Sequence, residues 1–189
     1  MGRGGAPRLV RRVPRPEPAG SPLIRLPWWV RRRELRAEME AGMAEAGLSP
    51  MSADEISDHP VLRAIQRARN MWSARGYRLL AEGPFGRFRL VILVSSRGPE
   101  ETVVICLDGP HGAEIASPHR NAAEGPLGYE LCLYYPGDPE EQRWVPVDGL
   151  VALADLARAH LWREHVWRTE DGFWPGPEAP HGLPESAAA

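Results

Sequence analysis

Residues 77–107, YRLLAEGPFGRFRLVILVSSRGPEETVVICL, decide the fold. The run 77–81 is a short β-prone segment stopped by Gly83-Pro84. Residues 87–95 (RFRLVILVS) alternate at first and then become continuously apolar, as a strand covered on both faces does. Residues 102–107 (TVVICL) repeat that pattern. Between them, 96–101 carries Gly98-Pro99, a hairpin signal. Short sequential strands with short links predict an antiparallel meander. A fourth, weaker strand is expected near 113–117.

Upstream, the sequence is helical. Residues 28–47 are rich in helix formers, and Gly47 is the expected stop. Ser52 with Glu55 three residues on reads as a capping box. Pro60 suits the first turn of a helix over roughly 60–75. Val61, Ile65, Ala68 and Trp72 would share one face of it, and Gly76 would end it.

Downstream, 118–146 reads as irregular, and a loop of that length inside a compact domain is often functional. Residues 148–168 form the strongest helix pattern, with Leu150, Ala154, Ala157 and Leu161 as its apolar stripe. Asp148 lies at its start, where a carboxylate favours the helix dipole. Gly172 should end it.

Composition bounds the rest. The chain has 189 residues, 43% of them apolar and 25% charged, enough for one real core. Its 20 Pro and 19 Gly make about a fifth of the chain, against the usual ~12%, so much of it must be loop or tail. No stretch approaches ~18 apolar residues, and the Arg-bearing N-terminus has no apolar core before Pro14. Neither a membrane span nor a secretory signal is expected. Two cysteines cannot build a disulfide framework or a four-Cys zinc site, which points to a cytoplasmic protein with reduced thiols.

Charge is divided unevenly. Residues 1–36 hold 10 Arg against two Glu, while the remainder is acidic. Residues 1–27 show Pro and Gly punctuation and no hydrophobic period, and read as a disordered basic tail. No aromatic side chain interleaves with the Arg residues before Trp28, so nucleic acid is not expected as a partner. The expected organisation is this tail, a helical extension over 28–50, one domain over 51–176 and a C-terminal tail over 177–189.

All 23 basic residues are Arg; there is no Lys. Compositional bias explains this. It also leaves the chain without a side-chain ε-amine.

The two cysteines sit in different settings. Cys106, inside TVVICL, reads as an inert core residue. Cys132, in GYELCLYYPGD, falls in the irregular region, where a thiol can be exposed and nucleophilic. The alternative is that Leu131-Cys132-Leu133 is a short buried strand. Pro118-His119-Arg120-Asn121 lies upstream and Trp144-Val145-Pro146 downstream.

This order resembles the ubiquitin-conjugating enzyme family. Its members carry a His-Pro-Asn element, a Gly, an apolar-Cys-Leu stretch, Trp-x-Pro and then helices. The matching residues are His119, Asn121, Gly128, Cys132, Leu133, Trp144 and Pro146. The likeness in element order covers roughly residues 60–170. Two departures stand out: Arg120 replaces the Pro of the triplet, and GPLGYE lengthens the path from Asn121 to Cys132. The Trp-rich helix followed by FWPGPEAPHG is similar to the bacterial ubiquitin-conjugating-like proteins of cyclic-oligonucleotide antiphage (CBASS) and related operons.

The resemblance implies an α+β fold with N-terminal helices, a four-stranded antiparallel β-meander and C-terminal helices. It also implies a cysteine-dependent transferase. Cys132 would take a protein C-terminus as a thioester and pass it to an acceptor amine, with no cofactor or metal. Asn121 would donate to the oxyanion, an interaction whose loss typically costs about 3 kcal/mol of barrier. His119 would hold the loop. The implied partners are a protein acyl donor, either a cyclic-nucleotide synthase or a ubiquitin-like protein, and, unless the activating step is bypassed, a separate activating enzyme.

Three other readings use the same residues. A Cys–His hydrolase would pair Cys132 with His160, His165 or His181. A loop metal site would use His111, His119 and Cys132, although no supporting hydrogen-bond pattern is visible. A non-catalytic module of the same fold would bind a partner without using the thiol.

Overall fold

The computed structural model describes residues 28–109, 117–121, 125–134, 138–141 and 143–176, with side chains from residue 33 onward. The tails expected over 1–27 and 177–189 lie outside the described residues.

The architecture is α+β: an antiparallel sheet with helices on both faces. Helix α1 (Trp28–Glu40) is followed by a two-residue strand β1 (Ser49–Pro50), then α2 (Ala53–Asp58) and α3 (Pro60–Arg69). Three strands form the body of the sheet: β2 (Arg75–Gly83), β3 (Gly86–Val94) and β4 (Val103–Cys106). Two short strands follow, β5 (Arg120–Asn121) and β6 (Glu130–Leu131), and α4 (Gly149–Thr169) completes the chain of elements. The strand order is β1-β2-β3-β4-β6-β5, each neighbouring pair antiparallel. Among the described residues the sheet has six strands where four are expected. The strand predicted near 113–117 lies, except for Ser117, outside the described residues.

The apolar run in β3 is explained by burial on both faces. Leu90, Ile92 and Val94 point to one side with Val104, Cys106 and Leu131, packing with Leu150, Leu153, Ala154, Ala157 and Leu161 of α4 and with Met39 of α1. Val91 and Leu93 point to the other side with Ile105, against Ile56, Leu62 and Ile65 of α2 and α3. Each such side chain contributes about 1.5–3 kcal/mol of transfer free energy. The meander is tight: Gly83 pairs with Gly86, leaving Pro84-Phe85 as a two-residue turn, with Gly86 at φ +105°.

Helix boundaries moved from the expected places for local reasons. The helix at 28 ends at Glu40, and turns continue to Gly47, with Gly42 at φ +72° and Gly47 at φ +77°. The capping box forms: Glu55 N–H donates to Ser52 Oγ at 3.1 Å and Ser52 N–H to Glu55 Oε2 at 2.7 Å. Helix α3 stops at Arg69 because Asn70 adopts the left-handed conformation and its N–H returns to the Gln66 and Arg67 carbonyls. Trp72 consequently lies in a turn and is 59% exposed, not part of the α3 core face; Leu62, Ile65 and Gln66 are. Gly76 belongs to β2, where a Cβ would come within 2.8 Å of Ile56.

The stripe expected on α4 is buried as read. Asp148 precedes the helix, and its carboxylate accepts the Val145 N–H at 3.0 Å. The Trp144 indole donates to the Gly149 carbonyl at 2.8 Å. Among the described residues, α4 is the only α-helix after the sheet, preceded by a 3-10 turn at Pro146–Asp148, and no helix is long and apolar enough to cross a membrane.

Candidate active site

The site is built where β5 and β6 join the sheet's edge beyond β4. Arg120 pairs with Leu131 and Asn121 with Glu130. Just past these pairs, the Cys132 N–H donates to the His119 carbonyl at 2.9 Å. Two residues separated by a long loop are thus neighbours across a strand pair.

Each side chain has its own setting. His119 is buried, with its N–H donating to Ser117 Oγ at 3.1 Å. Its imidazole stacks on the Trp174 indole, centroids 3.5 Å apart, and meets His160 edge-on at 6.4 Å. Trp174 in turn meets His160 at 5.4 Å. Aromatic pairs of this kind contribute about 0.5–1.5 kcal/mol beyond area burial. His160 is buried, and its Nε2 has no hydrogen-bond partner among the described residues. Burial drives its pKa down to about 3, so it is a neutral packing residue.

Arg120, standing where the resemblance expects a proline, anchors β5 to α4. Its Nε and Nη2 donate to the two carboxylate oxygens of Glu164 at 3.0 and 2.9 Å. Arg168 donates to the same carboxylate at 2.7 Å. Burial raises the Glu164 carboxyl, but these guanidinium groups outweigh it and hold the pKa below its ordinary value.

Asn121 faces the opposite element. Its Nδ2 donates to Glu130 Oε2 at 3.3 Å. Glu130 is buried and also accepts a bidentate pair from Arg69 of α3, at 3.0 and 2.6 Å. The insertion that precedes it is folded: Pro126–Tyr129 is a 3-10 turn, and Tyr129 packs against the α2–α3 cluster. The amide expected to serve an oxyanion is engaged with Glu130, so its visible role is to hold β5 against β6.

Cys132 is half-buried, and burial pushes its thiol above the ordinary value. A thiol of raised pKa is largely protonated at pH 7. Its thiolate, once formed, is a stronger nucleophile and a slower leaving group. Burial is the cause of that shift, with no neighbouring base or cation among the described residues offsetting it, whereas the nucleophile of a thiol hydrolase is activated by an adjacent base. Cys106 is fully buried in the core, donating to the Asp108 carbonyl at 3.0 Å.

Of the other candidates, His160 is committed to ring packing, and His111 and His181 lie outside the described residues. No group of three or more His, Cys, Asp or Glu among the described residues is placed to hold a metal ion. Sequence reasoning missed Glu130, Glu164, Arg69 and Trp174. The one signal available was a Trp within the Pro- and Gly-rich stretch FWPGP. The fold and site thus define an α+β protein with a half-buried cysteine at a sheet edge. Comparison of the chain with models of protein families, with curated proteins and with solved structures finds no match.

Proposed function

We propose that the protein is a ubiquitin-conjugating-like transferase acting in bacterial antiphage signalling of the CBASS type. Cys132 carries another protein's C-terminus as a thioester. The Cys132 thiolate attacks the carbonyl of an activated donor thioester, the donor's sulfur leaves as thiolate and takes the proton, and the acyl group rests on Cys132. An acceptor amine then attacks that carbonyl, forming an amide, and the Cys132 sulfur leaves and is reprotonated.

One observation carries this reading: the hydrogen bond from Cys132 N–H to the His119 carbonyl, which joins the His and the Cys of the resembling motif. The surrounding order supports it, with helices before an antiparallel sheet, the motif at the edge beyond β4, then Trp144-x-Pro146 and a long helix. Arg120 gives the departure from the triplet a structural role, since it ties β5 to Glu164 of α4 by a buried bidentate pair.

The test is co-expression with a cyclic-nucleotide synthase and an activating enzyme that charges its C-terminus, followed by intact-mass analysis. Wild type is expected to give a thiol-sensitive adduct at Cys132, Cys132→Ala none, and Cys132→Ser a thiol-resistant ester. Identical adduct patterns in wild type and Cys132→Ala would remove the reading.

The engagement of Asn121 with Glu130 favours a second reading, a non-catalytic module of the same fold. Partner binding that survives Cys132→Ala, with no adduct in wild type, would establish it instead.

A further inference from the structure

We propose that residues 172–176 form a strap that clamps His119, and that Trp174 is thereby a positioning residue for Cys132; this rests on the transferase reading above. Helix α4 ends at Thr169, and the chain reverses through Asp171 and Gly172, at φ +48° and +84°. The Gly172 N–H donates to the Trp167 carbonyl and the Phe173 N–H to the Glu170 carbonyl, both at 2.9 Å. The chain then lies against α4, where Trp174 meets His160 and Gly176 meets the Arg163 side chain. Gly176 has φ +126°, a backbone conformation that favours glycine.

The strap presents its two aromatic residues to opposite sides. Phe173 is 62% exposed, whereas Trp174 is buried between His160 and His119. The linkage to the site is then continuous: Trp174 stacks on the His119 ring, and the His119 carbonyl holds the Cys132 amide. Ring packing makes this clamp. The contacts of Trp174 with His119 and His160 are ring contacts, so another flat aromatic ring should serve in place of the indole.

Loosening the clamp hydrates a thiol that burial now suppresses. Reactivity toward a small reagent should therefore rise, while transfer to a protein acceptor, which needs the thiol fixed in place, should fall. The experiment uses the full chain as wild type, Trp174→Ala, Trp174→Phe and Phe173→Ala. Three quantities are read: cooperativity of thermal unfolding, iodoacetamide labelling of Cys132 at pH 7.5 followed by peptide mass, and the Cys132 adduct. Trp174→Ala is expected to label about threefold faster or more, and to lose adduct, while still melting cooperatively. Trp174→Phe and Phe173→Ala should stay within about twofold of wild type.

A folded Trp174→Ala that labels at the wild-type rate overturns the strap. Where Trp174→Ala does not fold, hydrogen exchange on wild type decides: the hydrogen-bonded Cys132 and Phe173 amides should open together, and independent opening rejects the proposal. Failure of the transferase reading is separately visible, as wild type without adduct but with the labelling difference intact.

Discussion

Arg120 and Glu164 form a bidentate ion pair whose side chains are 1% and 4% exposed, joining the short strand that carries the candidate motif to the helix behind it. Removing one partner of such a pair leaves an uncompensated buried charge. Glu164→Ala strands Arg120 and should lower unfolding free energy by about 3–5 kcal/mol. Arg120→Ala should cost less, because Arg168 still neutralises Glu164. Urea unfolding measures both; two variants within about 1 kcal/mol of wild type would contradict the pair's structural role.

Glu130 depends on Arg69 in the same way on the other face. Arg69 is partly exposed and Glu130 is not, so the penalty falls on the carboxylate. Arg69→Ala should destabilise by about 3 kcal/mol, and Glu130→Gln in that background should recover part of it, because a neutral amide is cheaper to bury unpaired. No recovery in a double-mutant cycle would count against this account.

The thiol of Cys132 is raised by burial. Its alkylation rate should therefore climb with pH through 7 and 8 and reach half its maximum above the ordinary value of 9.0. A plateau near neutral pH would show that a base or cation activates the thiol, and would revive the Cys–His hydrolase.

His160 gives the acid side of the stability profile. Its folded pKa, about 3, lies below the ordinary 6.5, with burial the main cause, Glu164 pulling it up and Arg120, His119 and Arg163 pushing it down. The unfolded chain binds the proton first, so stability falls as pH drops below 6.5 and goes on falling until about 3. The loss from this group at pH 5 is about 2 kcal/mol. His160→Phe should flatten the melting temperature between pH 7 and 5; an unchanged slope would mean that His160 titrates normally.

Much of the sheet was legible because burial on both faces writes itself as an unbroken apolar run in 90–94 and 103–106. The α4 stripe was legible for the same reason in another period. The end of α3 was not, because Asn70 rather than a glycine took the left-handed position and left Trp72 outside the core. At the site, sequence order brought His119 and Cys132 to notice. It gave no hint that Asn121 faces Glu130, or that Arg69, 61 residues from Glu130, completes that contact.

The amino-acid sequence by itself determined the alternation of helix and strand, the two-sided core and the position of a cysteine in a region without long elements. Those are consequences of local propensity and of which side chains must leave water. Tertiary structure alone decided the partners of Arg120, Asn121 and His119, the depth of the Cys132 thiol and the return of Trp174 across α4. Contacts between residues far apart in the chain depend on how elements pack, and no short-range pattern encodes them.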